Sequence, residues 1–455
     1  MTRLFSTKTR PPHLGPYPVE LLARSDHPAD LSAIPAMEAL SFDRSTTPNS
    51  IVNAMREHQA MLDAIRSGLV NKATAEAPAD PAERARHLKS FAYFADAAIA
   101  GVCELTNSAV LDAPFTNPDV DALAHDLKTR QTKTLASGID MIMADLKESI
   151  ETELPDISQH THALVFLYEN PRDPHENEVG TTWIKDAQAH RAGLLAAETA
   201  VVLSGYLRLL GYDSRGHTVS SSDVDLNKLA VAAGVASVEN GVLSHPYIGT
   251  RFGLSAVTTT FEIESDKSLI PANTQPKSAF AASWKLGTKT IKNSGNATPY
   301  KKRRFVDGAH PFEKLKRVDT PTTYIDEARV ARVPKRTDMF ARAQFGDMGK
   351  KLQDNATGGL YVRKAAPSMA QRRALGAFVL LQDGTPKSEQ QKIDPQVAAD
   401  LIKATSYYLG VDGVGISRCP DWTWYSHDAR GEPLIPPHDQ AIRMVIDQGL
   451  SLIHI

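Results

Sequence analysis

The sequence predicts an α/β (α+β) fold in which helices pack on mixed sheets in two tandem units, the second incomplete. Helical and strand patterns alternate along the chain with long connections, which is typical of helices layered on a sheet. Two stretches of sequence also recur, as in an internal duplication. With 455 residues, and roughly 150 residues per domain, the chain has room for two or three domains.

The first recurring stretch is Pro18–Pro28, which returns as Pro311–Pro321, 293 residues later. The two copies share proline, glutamate, leucine, arginine, aspartate and proline at the same spacing. That agreement is beyond casual similarity and indicates two copies of one unit.

The second recurring stretch opens with Asp80-Pro81 and again, 314 residues later, with Asp394-Pro395. Aspartate as N-cap followed by proline at the first helical position predicts a helix in both copies. In the later copy Gly410 should end the helix as a left-handed C-cap, and Val411–Ser417 reads as a buried strand. Ile99–Cys103 is the matching strand of the earlier copy.

Further elements extend both copies. Strands are expected at His162–Tyr168 and Gln440–Ile446, with an extra helical insertion around Asp121–Leu154 in the first copy. The first copy continues with a long alanine-rich helix over Ile184–Leu210. Two more strands are predicted at 217–219 and 257–264.

These patterns predict five segments: an N-terminal arm and helical region (1–79), a first unit (80–290), a linker with the start of the second repeat (291–330), the first part of a second unit (331–449), and a tail (450–455). The tail, Leu450–Ile455, is what a transposon-end sequencing adapter encodes. We therefore expect the natural sequence to depart from this one after Gly449 and the second unit to be cut short.

Charge and composition exclude several function classes. Lysine plus arginine number 51 against 53 aspartate plus glutamate, so no overall field favours nucleic acid or an anionic membrane. No signal peptide or membrane-spanning stretch is predicted, and we expect a cytoplasmic protein. Only Cys103 and Cys419 are present, so this sequence cannot supply the four cysteines of an iron-sulfur cluster.

The densest cluster of site-type residues follows the first strand of the second copy. It contains Trp422, Trp424, Tyr425 and His427. These rings could line a pocket for a flat cofactor or an aromatic substrate, and core packing explains them equally well. We predict them as candidate cofactor-binding residues and predict no metal ligand.

Other motifs favour no site. His175 lies among carboxylates in a run that resembles a cobalt-ligand motif, but its glycine falls two positions late. His160 and His162 should point to opposite faces and cannot share a metal. Ser220–Ser222 with His217 and Asp223 has the residue types of a hydrolytic triad without a nucleophile elbow. The glycines lack dinucleotide-binding spacing.

The segments Arg10–Pro18, His310–Arg317 and Tyr408–Ile416 together resemble the cytoplasmic, non-respiratory reductive dehalogenases, which depend on a corrinoid. Leu210–Thr218 and His245–Gly253 are similar to further segments of that family, so the resemblance spans nearly the whole chain. A Leu-Gly-x-Asp-x-x-Gly-Ile pattern is shared with epoxyqueuosine reductase.

The resemblance implies a nitroreductase-like, cobalamin-trafficking-like unit present twice, the first without cofactor and the second with base-off cobalamin. It implies two 4Fe-4S clusters in a later ferredoxin-like part. The substrate would be a small halogenated organic compound, such as a halogenated phenol or phenolic acid, and a ferredoxin, flavodoxin or reductase would donate electrons. No nucleic acid or membrane partner is implied. The catalytic tyrosine is expected beyond Gly449, so no catalytic residue is assigned and the fragment should be inactive.

Two alternatives stay open. The first is an epoxyqueuosine-reductase-like corrinoid reductase, against which the duplication argues. The second is a non-enzymatic corrinoid-binding or trafficking protein, which would need no cysteines.

Overall fold

A computed structural model describes residues 15, 17, 19–38, 45–47, 49–129, 156–271, 274–275, 311–320, 322–356, 392–428 and 430–446. We refer to residues 15–275 as the N-terminal part and to residues 311–446 as the C-terminal part. The expected tail, Leu450–Ile455, and most of the expected insertion lie outside the described residues.

Nine α-helices are found within these ranges: α1 (Val52–Ala64), α2 (Pro81–Phe94), α3 (Asp119–Thr129), α4 (Thr181–Ile184), α5 (Gln188–Leu209), α6 (Leu226–Ala232), α7 (Met339–Gln344), α8 (Lys350–Ala356) and α9 (Pro395–Tyr408). The strands in the same ranges are β1 (Ile99–Glu104), β2 (Val110–Phe115), β3 (His162–Glu169), β4 (Ser214–His217), β5 (Ser222–Val224), β6 (Ser237–Glu239), β7 (Val242–Ser244), β8 (Phe252–Thr259), β9 (Gly413–Arg418) and β10 (Gln440–Val445).

The main sheet has the strand order β1-β3-β8-β4, and every neighbouring pair is antiparallel. The expectation of mixed sheets is therefore wrong for the described strands. Strands β3 and β4 do run parallel and are joined by α5, as in a crossover unit, but β8 lies between them. The two parallel strands β3 and β4 therefore do not hydrogen-bond to each other.

Both faces of this sheet are buried, and successive side chains of β1 divide between them. Ile99 and Cys103 belong to a cluster with α6 and the N-terminal segment. Ala100 and Val102 belong to a second cluster with α2 and α5. The sheet is thus the middle layer of a helix-sheet-helix arrangement.

Local signals place α2 and α9 where the sequence predicts them. The Asp80 carboxylate accepts a hydrogen bond from Ala82 N, and that of Asp394 accepts from Gln396 N. Gly410, at φ +100°, ends α9 in the left-handed region, as expected.

Three predicted elements are misplaced. Helix α5 begins at Gln188, four residues late, because Lys185 is extended and Asp186 has φ +65°. Strand β4 begins at Ser214 and not at residue 217, because its polar residues Arg215 and His217 are buried in the protein interior. Strand β8 begins at Phe252, where glycine and serine face α5. For the two strands a tertiary contact overrides the local apolar pattern, whereas for α5 the backbone conformation of two residues sets the start.

The C-terminal part is less buried than predicted. Strands β9 and β10 form a two-stranded antiparallel sheet, as expected from their sequences. Only Gly413 and Val414 of β9 are buried, however, and Ile442 and Met444 of β10 are 46% and 54% exposed. The described part of the chain leaves this sheet largely uncovered.

Hydrogen bonds recur in the two parts 314 residues apart. Ala100 N donates to Tyr93 Oη over 3.2 Å, and Val414 N donates to Tyr407 Oη over 3.4 Å. The flanking strand pairs also have the same backbone bonds at both ends: Ala98 N to Leu167 O and Leu105 N to Thr161 O, against Asp412 N to Val445 O and Cys419 N to Asp439 O. The repeated sequence therefore has a repeated local structure.

One described helix, α5, is long and apolar enough to cross a membrane by length and composition, which corrects the expectation of no such segment. It lies between the sheet and α1, and many of its residues are fully buried there. A buried core helix passes the same test, so this property is weak evidence.

We predict that Gly101→Ala destabilises the protein and that Gly415→Ala, at the equivalent position of β9, does not. A Cβ at Gly101 would lie 2.3 Å from the Ala233 carbonyl oxygen, whereas no described atom lies within 4 Å of one at Gly415. The first change should cost about 1–3 kcal/mol, and thermal unfolding of both variants measures it. Equal midpoints would show that the contact with Ala233 is unimportant.

Candidate functional site

The predicted aromatic cluster lies in the loop after β9, which begins with a 3-10 turn at Asp421–Thr423. Trp422, Trp424 and His427 are half-buried and Tyr425 is 37% exposed. We call residues 419–428 the aromatic loop.

Arg332 holds this loop in place. Its guanidinium donates to the carbonyl oxygens of Trp424 (3.3 Å), Tyr425 (2.6 Å) and Leu434 (2.6 Å). Ser426 N also donates to the Val333 carbonyl over 2.9 Å. The backbone of the aromatic loop is therefore fixed by the segment before α7.

The four predicted side chains do not converge within the described residues. Tyr425 Oη donates to Asp338 over 3.3 Å, and His427 Nδ1 lies 2.9 Å from Ser426 Oγ. The Trp424 ring packs beside His438, with centroids 6.4 Å apart. No ring contact joins any two of the four predicted residues in the part of the chain described.

The two indole nitrogens are the unusual feature of the loop. Nε1 of Trp422 and Nε1 of Trp424 are shielded from solvent, and neither has a hydrogen-bond acceptor among the described residues. A buried donor without an acceptor costs about 1–3 kcal/mol. The loop therefore offers two N–H donors for an acceptor supplied by something else.

A second polar cluster, which the sequence analysis missed, lies inside the N-terminal part. The Asp63 carboxylate is buried and accepts hydrogen bonds from Ser220 Oγ (2.5 Å), Thr218 Oγ1 (2.7 Å), Asn117 Nδ2 and Gln59 Nε2. Burial raises the pKa of Asp63, and these hydrogen bonds act against the rise. Asp63 and Arg66 stand among the buried apolar residues Met61, Leu62 and Ile65, and that polar pair was the available signal.

Asp223 binds two buried guanidinium groups. Arg66 Nη1 lies 2.6 Å from one of its carboxylate oxygens and Arg215 Nη1 lies 3.1 Å from the other. Burial acts to raise the pKa of Asp223, but the charge of Arg66, together with that of Arg215, outweighs burial and lowers it to about 2. These contacts connect the end of α1 to β4 and β5.

A chain of hydrogen bonds extends from Asp223 through two histidines. His217 Nδ1 accepts from Asp223 N, so its Nε2 carries the proton and donates to Thr258 Oγ1 over 2.7 Å. Thr258 Oγ1 lies 2.8 Å from His160 Nδ1, and His160 Nε2 lies 3.4 Å from Asp213. Burial lowers the pKa of His217 well below its usual value, so this imidazole is neutral.

The serines beside His217 are structural. Ser220 donates to Asp63, Ser221 Oγ accepts from Asn117 N, and Ser222 donates to the Val224 carbonyl. All three are buried and none is paired with His217 as a nucleophile would be.

His175 is exposed, and the carboxylates near it bind arginines. Asp173 forms a bidentate pair with Arg251, and Glu178 forms one with Arg172. Across the described residues, no group of three or more histidine, cysteine, aspartate or glutamate side chains could hold a metal ion.

A cavity of about 610 Å³ lies apart from both clusters, between residues 25–32, the end of β1 and residues 265–268. Two of its carboxylates are paired with lysines, Asp26 with Lys267 and Asp266 with Lys89. Burial raises the pKa of the Cys103 thiol on its wall to about 12, so the thiol is unreactive.

Comparison with solved structures shows which class of protein the chain resembles. The chain superposes on catabolic reductive dehalogenase NpRdhA with a TM-score of 0.75 and 32% identity over 98% of its own length, and it covers 58% of that chain. The similarity is therefore to the reductive dehalogenase family, of whose structures this chain spans a little over half.

Two related structures match equally well. One is a reductive dehalogenase structure described as suggesting a mechanism for B12-dependent dehalogenation. The other is NpRdhA in complex with 3-bromo-4-hydroxybenzoic acid. Epoxyqueuosine reductase from Streptococcus thermophilus aligns with a TM-score of only 0.26 at 12% identity. No protein-family model and no curated protein matches the chain.

We predict that Asp223→Asn destabilises the fold by about 3–5 kcal/mol, because it removes the carboxylate charge that binds two buried guanidinium groups. The matched control is Asp173→Asn, whose pair with Arg251 is more than half exposed and should be worth at most about 1 kcal/mol. Urea unfolding of both variants would contradict this prediction if the two losses were similar.

We also predict a pH dependence that arises from His217. Its pKa is lowered in the folded protein, so below about pH 6.5 the unfolded chain binds a proton that the folded chain does not. The free energy of unfolding therefore decreases as the pH is lowered. In His217→Gln the fall between pH 6.5 and 5 should be shallower by about 1.4 kcal/mol per pH unit. Unfolding curves that shift in parallel for wild type and variant would refute the role of His217.

Proposed function

We propose that this chain is part of a cobalamin-dependent reductive dehalogenase that removes halide from a halogenated aromatic compound, most simply a halogenated phenolic acid. The observation that carries the proposal is the 32% identity to NpRdhA over 98% of the chain at a TM-score of 0.75. The bound 3-bromo-4-hydroxybenzoic acid of that protein supplies the substrate class. Such an enzyme is an oxidoreductase, since replacing halogen by hydrogen consumes two electrons and a proton.

The proposal includes a duplication, with a first nitroreductase-like unit at 80–290 and a second at 331–449. The hydrogen bonds that recur 314 residues apart support it, as does the shared strand register. Lys89 and Lys403, also 314 residues apart, each bind a carboxylate, Asp266 and Glu313 respectively. Because the lysine–carboxylate pair and the tyrosine hydrogen bond occur in both units, we assign Lys403 and Tyr407 a structural role and no catalytic one.

Cobalamin would supply a cobalt centre that exchanges electrons with the carbon-halogen bond, and the aromatic loop is the proposed wall of its site. The indole N–H groups of Trp422 and Trp424, which have no acceptor among the described residues, would suit a group rich in amide and carbonyl acceptors. Tyr425 and His427 are assigned to the rim, since both already have local partners. Gly415, on the strand that leads into the loop, has no described atom near its open side and would leave room for a flat group.

The proposal further holds that the natural protein is longer, with the proton donor and two 4Fe-4S clusters beyond Gly449. The exposed apolar residues of β10 support a longer second unit, because β3, its counterpart, is covered by helices on both faces. A ferredoxin, flavodoxin or reductase would supply electrons. The cytoplasmic location stays a prediction, which cell fractionation would test.

The test of function uses the intact gene. Reading source DNA beyond codon 449 should show the rest of the second unit and two cysteine runs for four-iron clusters. The purified protein should then bind cobalamin and release bromide from 3-bromo-4-hydroxybenzoic acid when supplied with a reductant. A gene without cysteine runs, whose product binds cobalamin but releases no bromide, would favour the corrinoid-carrier alternative.

We predict that Trp422→Phe and Trp424→Phe each weaken cobalamin retention about tenfold, since one hydrogen bond of about 1–1.5 kcal/mol is lost while the ring is kept. Tyr206→Phe, on the exposed side of α5 in the N-terminal part, is the control and should not change retention. Equilibrium dialysis followed by the corrin absorption spectrum measures the effect. Unchanged retention in both loop variants would remove the aromatic loop from the site.

A further inference from the structure

Helix α9 belongs by sequence to the C-terminal part, but its side chains are divided between two cores. Tyr407 contributes to a small cluster with Val411 and Val414. Ala404 and Tyr408, which are 0% and 4% exposed, instead complete a cluster formed by α1, α4 and α5 of the N-terminal part.

The contact with the N-terminal part is close. Gly180 precedes α4 at φ +92°, and a Cβ built on it would lie 2.7 Å from the Ala404 Cβ. An L side chain at position 180 would thus meet both backbone strain and the side of α9. Ile184, at the end of α4, is fully buried in the same cluster.

A charged hydrogen bond fixes the end of α9. Arg191 of α5 donates from Nη2 to the Leu409 carbonyl oxygen over 2.6 Å. Carbonyl groups at a helix C-terminus have no partner within the helix and carry partial negative charge, so a guanidinium there is favourable. The N-terminal part therefore binds α9 through both packing and its terminal carbonyl.

The C-terminal part has little core of its own in the described residues. Its cluster of three buried apolar residues compares with twenty-three in the largest cluster of the N-terminal part. So small a core offsets only a small part of the entropy of ordering a helix and two strands. The burial of Ala404 and Tyr408 against the N-terminal part adds apolar contacts to those of this core.

We propose that the N-terminal part is the docking scaffold for α9, with Gly180, Ile184 and Arg191 as its receiving surface. The helix, and the strand β9 that leads to the aromatic loop, are positioned by this surface. This role gives the N-terminal part a function without requiring it to hold a cofactor, and it goes beyond the proposed reaction.

The test is hydrogen-deuterium exchange on the intact, cofactor-free protein, so that its outcome is independent of cobalamin binding. Gly180→Ala should speed exchange in peptides from 395–418 at least tenfold and leave peptides from 188–209 unchanged. Acceleration of both regions by a similar factor would indicate general unfolding and overturn the proposal.

A double-mutant cycle separates the contact from backbone strain at position 180. In an Ala404→Gly background the methyl group that Gly180→Ala would meet is gone, whereas the strain is not. The effect of Gly180→Ala on residues 395–418 should then shrink to threefold or less. The same tenfold effect in both backgrounds would show that α9 does not depend on this contact.

A milder variant keeps the proposal testable if Gly180→Ala fails to fold. Arg191→Gln should speed exchange at residues 404–411 about threefold through loss of the bond to Leu409. Arg251→Gln, which removes a surface ion pair of the same part, is the control and should leave those residues unchanged. Equal effects of the two arginine variants would overturn the assignment of Arg191.

Discussion

The close approach of helix α5 to the central sheet is the constraint on which the other contacts depend. Gly253 of β8 has no room for a Cβ, since one would lie 2.7 Å from the backbone of Ala192 and Gly193. The facing residues of α5 are small and fully buried, among them Ala196 and Ala200. A helix this near the sheet leaves its opposite side free to bind α1 and, through Arg191 and Leu194, to reach α9.

The charged core follows from the same geometry. Strand β4 packs beneath α5, so Arg215 and His217 are carried into the interior with Asp223 opposite them. Buried charges are tolerated only when they are paired and hydrogen-bonded. Here Arg66, at the end of the packed helix α1, provides the pairing. The ion pairs thus join three separate stretches of chain.

The two parts differ most in how completely they are covered. In the N-terminal part the strand pair β1 and β3 has helices on both faces. The equivalent β9 and β10 have α9 on one side, and no described atom lies near the open side of Gly415. The same local hydrogen bonds hold both pairs together. The two copies thus share local hydrogen bonds but differ in what covers their strands, and this difference allows them to have separate roles.

The sequence by itself determined the local features: helices that begin after Asp80 and Asp394, the end of α9 at Gly410, and the repeated helix-strand unit. These depend on caps and on backbone freedom within a few residues, and so they can be predicted from neighbours in sequence. The resemblance to reductive dehalogenases was also readable from short segments, and the comparison with solved structures supports it at the family level.

Only the tertiary structure decided which polar residues meet. Asp63 and Arg66 are neighbours in sequence, but their partners Ser220 and Asp223 lie far away in the chain, and no local pattern joins the two pairs into one network. The position of β8 between β3 and β4 and the contact of α9 with Gly180 were likewise decided only by the tertiary structure. Their energies come from contacts between residues distant in sequence, where packing and charge pairing outweigh the local preferences from which a sequence can be interpreted.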